Sequence, residues 1–348
     1  VSDVLYVAIP GDPATVTGGY AYDRRMIEAL RRAGRTVELV SLPGSYPVPS
    51  AADLDATCVA FRALPDGALV LVDGLAFGAM PEIAAAERDR LRLVALVHHP
   101  LALETGLSAA DAERLRVSES EALAQARLVV TTSPATARAL RAGFGVPAER
   151  LVAVLPGVDR ARPSDPPSGP QVILCVATIT PRKGHDVLVE ALALLADRTW
   201  TCRLVGDPTR APETATRLRR QIASVGLEAR IALAGIVPDI AAEYAGASIF
   251  ALASRFEGYG MVFAEALAQG LPIVACAAGA VPDVVPRNAG LLVPPDDPVA
   301  FAAALGRLLD DPPLRRRYAE GARIAGEALP GWDETAAALA RAMDGVAP

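Results

Sequence analysis

The hydrophobic positions of this chain alternate between two periods. Short, nearly continuous apolar runs rich in Val, Leu, Ile and Ala occupy residues 4–9, 37–42, 68–72, 93–97, 128–131 and 151–155, the pattern of strands buried on both faces. Between them, residues 20–33, 51–64, 79–90, 108–125 and 134–141 predict helices. The first of these is amphipathic: Tyr22, Met26, Ala29, Leu30 and Ala33 gather on one side, while Arg24, Arg25, Arg31 and Arg32, interrupted by Glu28, cover the other. Residues 162–170, RPSDPPSGP, have neither period and read as a linker. Beyond them the alternation restarts, with strands at 172–177, up to Val205, at 231–234, into Ala253, and at 273–275 and 290–293. Helices are expected at 186–195, from about Gly260 to Gly270, through Leu309, from Pro312 and from near Trp332. Such alternation implies parallel sheets with helices on both faces, and 348 residues imply two domains. Their expected bounds are 1–160 and 171–328, joined by 161–170, with a last helix in 329–348.

In open parallel sheets ligands sit over the loops at the carboxyl ends of strands, so chemistry is sought there. The stretch from Ser254 to Cys276, SRFEGYGMVFAEALAQGLPIVAC, is the richest. Its loop carries Glu257, its helix carries Glu265, and Gly258 and Gly260 flank Tyr259 so that backbone can approach a ligand. The first N–H groups of the helix, near Gly260, Met261 and Val262, form an anion site. Another such loop is residues 178–185, TITPRKGH, with Arg182 and Lys183 side by side. Of 34 basic residues, Lys183 is the single lysine. His98 and His99 follow the strand at 93–97, and Gly18-Gly19 close the long first loop before Tyr20.

Together these segments resemble the retaining glycosyltransferases of family 4, whose Glu-x7-Glu motif is matched by Glu257 and Glu265. The resemblance extends over E-G-(aromatic)-G and E-A-L-A-x-G-x-P, over Lys183-Gly184, and over Pro156-Gly157-Val158-Asp159, where the family's Asn is missing. It implies the GT-B fold, an α/β architecture of two Rossmann-like, doubly wound parallel-sheet domains facing a cleft. The first domain would be the acceptor side and the second the nucleotide-sugar donor side, with the last helix crossing back to the first. It implies transfer of a hexose-type sugar from a UDP- or GDP-sugar to an acceptor hydroxyl, with no metal and no cofactor beyond the substrate.

By the same resemblance Lys183 neutralises the donor diphosphate. Glu257 and His98 contact the transferred sugar, and Glu265 holds the ribose hydroxyls. Gly18 and Gly19 approach the donor phosphate, Gly235 and Val237 pack against the base, and Gly258 to Val262 complete the donor site. Tyr20 and His99 are the acceptor-side candidates. Where the family carries an Arg, this chain has Thr178, and Arg182 is the candidate replacement. A non-hydrolysing UDP-sugar 2-epimerase and a non-catalytic sugar-nucleotide-binding protein are the alternatives.

Composition narrows the field. A net charge of −6 argues against a nucleic-acid partner, although the arginine face of residues 24–32 could touch an anionic membrane or simply be solvated. Cys58, Cys175, Cys202 and Cys276 lie far apart, which predicts free thiols. No run reaches the ~18 apolar residues of a membrane span, and a cytoplasmic protein is expected. Metal binding at His98-His99 is not expected, since no carboxylate or Cys lies beside them at ligand spacing. Asp53-x-Asp55 stands at a helix start, where the helix dipole favours Asp.

Overall fold

In a computed structural model, which describes residues 4–15, 17–159 and 170–346, the chain divides into two compact units. The first comprises Val1–Gly157 with Pro330–Pro348, and the second Val158–Leu329. The Pro-rich segment 162–170 falls outside the described residues except for Pro170.

The first unit contains β1 (Val4–Pro10), α1 (Gly18–Arg32), β2 (Thr36–Leu42), α2 (Ala51–Arg62), β3 (Leu69–Asp73), α3 (Gly74–Phe77) and α4 (Pro81–Glu87). It continues through β4 (Arg92–Val97), α5 (Ala109–Leu123), β5 (Leu128–Thr131), α6 (Pro134–Gly143) and β6 (Leu151–Ala153). Its six strands are ordered β2-β1-β3-β4-β5-β6, and every pairing is parallel. The helix expected over 79–90 is the shorter α4, and an additional helical turn, α3, precedes it. Asp73 caps a short turn by accepting from the Leu75 N–H at 2.7 Å, and Pro81 opens the next helix where a missing N–H costs nothing.

The second unit contains β7 (Gln171–Val176), α7 (His185–Ala193), β8 (Trp200–Val205), α8 (Pro212–Ser224), β9 (Ile231–Gly235), α9 (Ile240–Ala245) and β10 (Ile249–Leu252). After these come α10 (Met261–Ala268), β11 (Ile273–Cys276), α11 (Val281–Val284), β12 (Gly290–Val293), α12 (Pro298–Asp310) and α13 (Pro312–Glu327). Its sheet, again all parallel, runs β12-β11-β10-β7-β8-β9. The central strands β10 and β11 are buried throughout, as expected of parallel strands covered on both faces. Cys175, Cys202 and Cys276 are buried free thiols, and Cys58 is a half-buried one.

The last helix, α14 (Trp332–Asp344), belongs to the first unit and packs on α1. Trp332 meets the Tyr22 ring edge-on at 5.8 Å, and the Arg25 guanidinium lies over its indole at 5.5 Å. Arg32 pairs with Asp333 at 2.8 Å, and Thr335 donates to the Leu155 carbonyl at 3.0 Å. This packing gives the arginine face its partners. Arg24 is directed to the carbonyls of Pro13 and Thr15, and Arg31 donates to the Val37 carbonyl at 2.8 Å. All four arginines thus have partners within the unit, and Arg31 and Arg32 remain at its surface. Among the described residues no helix is long and apolar enough to cross one.

Helices α10 and α13 approach so closely that a Cβ on Gly326 would lie 2.3 Å from the Leu267 carbonyl oxygen. Replacing glycine by alanine inside a helix ordinarily stabilises by ~1 kcal/mol. Here Gly326→Ala is expected to destabilise the second unit instead, by ~1–3 kcal/mol of overpacking. Thermal unfolding followed at Trp200 checks this, and a raised midpoint would contradict the close approach.

Candidate functional site

Each sheet contains one place where strand order reverses. In the second unit it lies at β7, with β8 on one side and β10 on the other. Open α/β sheets bind ligands in the crevice at such a point, and the loops leaving β7 and β10 border it at the carboxyl ends. Those loops are the ones carrying Arg182-Lys183 and Glu257.

The crevice is built around a buried ion pair. Glu257 is 4% exposed. Its Oε1 accepts from Lys183 Nζ at 2.7 Å and from Ser254 Oγ at 2.6 Å, and Oε2 lies 3.5 Å from the Arg182 guanidinium. Burial works against the carboxylate, but Lys183 and then Arg182 outweigh it and hold its pKa below the ordinary range. Burial pulls Lys183 below its usual value, opposed by Glu257 and assisted by Arg182. Two cations on one carboxylate leave a surplus positive charge at the crevice.

The loops are stapled together by their backbones. Arg255 N–H donates to the Arg182 carbonyl at 2.8 Å, and the Arg182 guanidinium donates to the Phe256 carbonyl at 3.0 Å. The Arg255 side chain bridges Asp186 at 2.8 Å and Asp296 at 2.7 Å, and also reaches the Pro181 carbonyl. Gly184 turns the chain into α7 with φ +62°, and a Cβ there would lie 2.0 Å from the Ala253 carbonyl oxygen, so the position admits only glycine.

Helix α10 starts at Gly260 with no side-chain cap, which leaves its first N–H groups, at Met261 and Val262, directed to whatever binds there. Half-buried Glu265 lies along the same helix, and its Oε2 accepts from the buried Tyr244 hydroxyl at 2.7 Å. Gly258 and Tyr259 are buried in the loop. Gly235 has φ +66°, its carbonyl accepts from Gly206 N–H at 2.9 Å, and Val237 is partly buried against the core of the unit.

In the first unit the order reverses at β1, between β2 and β3. Here two carboxylates distant in sequence come up to His98. His98 Nε2 lies 3.2 Å from Asp23 Oδ1 and 3.7 Å from Asp73 Oδ2, both carboxyls being buried. One ligand atom from each of the three residues lies within 4.8 Å of the others. Asp23 lies at hydrogen-bond distance from Nε2 and Asp73 just beyond it, and a metal would need that nitrogen deprotonated. Burial, and then Asp23, push Asp73 up to about 7. Burial pulls the His98 imidazole down, but Asp23 and Asp73 more than reverse it, so its pKa is raised.

Gly18 and Gly19 form the first turn of α1, Gly19 facing the His98 ring, where a Cβ would be 3.6 Å from Cδ2. Tyr20 pins the preceding loop by donating its hydroxyl to the Pro10 carbonyl at 2.6 Å. His99 turns its ring toward Glu104, 3.8 Å away. Asp53 belongs to the α2 capping box with Ser50, at 2.9 Å from its N–H. Sequence reasoning misses Asp23, Asp73, Tyr244 and Arg255. Of these, only Asp73, an acid closing the apolar run LVLV, carries a local signal.

A family model described as Glycosyl transferases group 1 matches residues 170–311, and one described as Glycosyltransferase Family 4 matches residues 69–162. The chain belongs to glycosyltransferase family 4. Among curated relatives, a D-inositol 3-phosphate glycosyltransferase of Xylanimonas cellulosilytica is 33% identical over 64% of this chain and 58% of its own. Another of that description, from Jonesia denitrificans, is 30% identical over 72% of this chain and 66% of its own. The chain thus spans less than two thirds of the length of these relatives.

Among solved structures, sucrose-phosphate synthase from Thermosynechococcus elongatus superposes with a TM-score of 0.82, at 24% identity and 97% coverage of both chains. An Anabaena protein, HepE, solved with UDP-glucose, gives 0.78 at 20% identity, covering 98% of this chain and 99% of its own. At such identities the likeness establishes the GT-B fold of this family 4 member and no more.

The turn after His98-His99 is held by Glu119 of α5, 1% exposed, which accepts from the Leu101 N–H at 2.8 Å. Burial raises its pKa to about 8 against the pull of the Leu101 and Ala102 N–H groups. A raised folded pKa means the native state keeps a proton that the unfolded chain releases. This contribution to stability is therefore complete at low pH and lost as pH rises through about 8. Asp73 acts in the same direction up to about 7. The unfolding midpoint of the first unit, followed by Trp332 fluorescence in a Trp200→Phe background, is expected to fall across that range. Glu119→Gln should flatten the fall, and an unchanged slope would show that the carboxyl is already ionised.

Proposed function

We propose that this chain transfers a hexose-type sugar from a nucleoside diphosphate sugar to an acceptor hydroxyl, with retention at the anomeric carbon and without a metal. The observation that carries the reading is the cluster of Lys183, Arg182 and Glu257 beside the uncapped start of α10. Lys183, Arg182 and the Met261 and Val262 N–H groups receive the diphosphate. Their stabilisation grows as the bond between anomeric carbon and phosphate oxygen breaks and charge collects on the leaving group. Glu257, anchored by Ser254, directs its remaining acceptor capacity to sugar hydroxyls. Glu265, oriented by Tyr244, takes the ribose hydroxyls. The acceptor oxygen forms the new bond on the face the phosphate leaves, and its proton passes to the departing phosphate, so no enzymic nucleophile is required.

UDP is the favoured nucleotide, because HepE is solved with UDP-glucose. A phosphorylated cyclitol heads the acceptors to test, given what the curated relatives are called. On this reading the second unit is the donor side, and His98, Gly18 and Gly19 are the candidates to meet the transferred sugar and phosphate. A cytoplasmic setting agrees with free thiols.

Incubation with a panel of UDP- and GDP-sugars, with and without polyol and cyclitol phosphate acceptors, tests the reaction. Product only in the presence of acceptor supports it. Acceptor-free sugar isomerisation would favour an epimerase, and binding without either a sugar-nucleotide-binding protein. Chelator is expected to leave turnover intact, and abolition reversed by magnesium or manganese would overturn metal independence.

Two substitution sets follow. Glu265→Ala is expected to weaken binding of the free nucleoside diphosphate by ~1.5–3 kcal/mol, the cost of losing charged hydrogen bonds. Isothermal titration checks it, and unchanged affinity would remove Glu265 from the ribose. Lys183→Ala and Arg182→Ala should each lower kcat by ~100-fold or more while changing donor affinity less. Thr178→Arg in the Arg182→Ala background should recover part of that loss. No recovery in a folded double mutant would show that Arg182 does not stand in for the family Arg.

A further inference from the structure

We propose that Asp23 and Asp73 are positioning residues that grip His98 at Nε2 and keep it an imidazolium, so that the ring presents Nδ1–H as a cationic donor to an oxygen of the transferred sugar. The proposal rests on the reading above that His98 meets that sugar.

The geometry leaves the ring little choice. Both carboxyls lie at Nε2, at 3.2 and 3.7 Å, which leaves Nδ1 as the ring nitrogen available to a ligand. Asp73 cannot swing away, because its other oxygen caps α3 through the Leu75 N–H at 2.7 Å. Asp23 is 3% exposed and stands one turn of α1 beyond Gly19, so both meet the same imidazole. The Tyr22 ring packs against His98 edge-on, at 4.9 Å and 75°, and is itself backed by Trp332. The ring is thereby held on one edge by acids, on another by an aromatic wall and at Cδ2 by backbone.

The charged surroundings agree. Of the neighbours on α1, Arg24 is turned to the carbonyls of Pro13 and Thr15, and Arg25 to the Trp332 indole. On His98's own loop, His99 faces Glu104. The groups set against the imidazole are therefore Asp23, Asp73 and the neutral Tyr22, and no cation among them opposes its protonation. Two buried acids at close range do not both ionise readily, and the raised pKa of Asp73 reflects this. One shared proton on the acids and one extra on the imidazole leave the cluster close to neutral.

The chain has three histidines, so long-range proton–nitrogen NMR of the intact protein resolves each one, with His98→Gln identifying its signals. In the unsubstituted protein His98 is expected to carry protons on both nitrogens at pH 7. In Asp23→Asn it should be neutral at that pH. The alkaline limb of kcat/KM should move down by at least one pH unit in Asp23→Asn, with activity recovering below pH 6, where the ring protonates unaided. Asp73→Asn, which keeps the α3 cap, should give a smaller shift in the same direction.

A neutral His98 at pH 7 in the unsubstituted protein would overturn the proposal, as would an unchanged pH profile in folded Asp23→Asn. Loss of the Nε2 proton on adding magnesium, manganese or zinc would also overturn it and make the cluster a metal site. The NMR measurement needs no turnover and no variant of Asp23. It therefore decides the protonation even if no donor is ever turned over, an outcome that would count against the function and not against the cluster.

Discussion

The second unit is organised around a carboxylate that has been taken out of water. Burying Glu257 is tolerable only because Lys183 meets one oxygen at 2.7 Å and Arg182 stands by the other. Leaving such a group without its partner costs ~3–5 kcal/mol, so the two loops that supply the charges must arrive together. The rest of the local architecture serves that requirement. Strand order reverses at β7, the Arg182 and Arg255 backbones are stitched across the gap, and Gly184 lets one loop press against the carbonyl of Ala253. A surplus of positive charge is the by-product, and it is what an anionic leaving group needs.

The same rule, applied to the first unit, gives the opposite polarity. Its reversal point gathers two acids about one imidazole. Both units are six-stranded parallel sheets with one reversal of strand order, yet one collects cations around an acid and the other acids around a cation. A shared architecture thus fixes where functional side chains stand and leaves their chemistry to the loops.

Much of this is legible in the amino-acid sequence. Strands buried on both faces announce themselves as unbroken apolar runs, and Lys183, Glu257 and Glu265 lie in loops or helix starts directly after such runs. Asp23 and Asp73 stay hidden because neither sits near His98 in the chain. Only parallel pairing of β1, β3 and β4 brings their ends together. Tyr244 stays hidden because α9 is too short to show a helical period. The partners of the α1 arginine face stay hidden because periodicity distinguishes apolar from polar sides but does not reveal that α14, whose Asp333 lies 301 residues beyond Arg32, covers part of the polar one. The extra turn α3 ahead of α4 is a matter of caps, Asp73 and Pro81, which the apolar spacing does not show.

That the first unit is assembled from two stretches of chain has a consequence for how the protein is made. Residues 158–329 form their own compact unit and leave the ribosome as one uninterrupted segment. The first unit begins before it and is completed after it, since Trp332, which backs Tyr22, is synthesised once residues 158–329 have been made. Domains commonly fold as units during synthesis, so the earlier half must wait, with the α14 side of α1 uncovered, while the later half is translated. The waiting costs little in closure entropy, which rises only by about 0.6 kcal/mol for each doubling of the intervening chain. It does cost time, and for as long as translation takes, the part of the molecule that begins first is the part most exposed to chaperones and to aggregation.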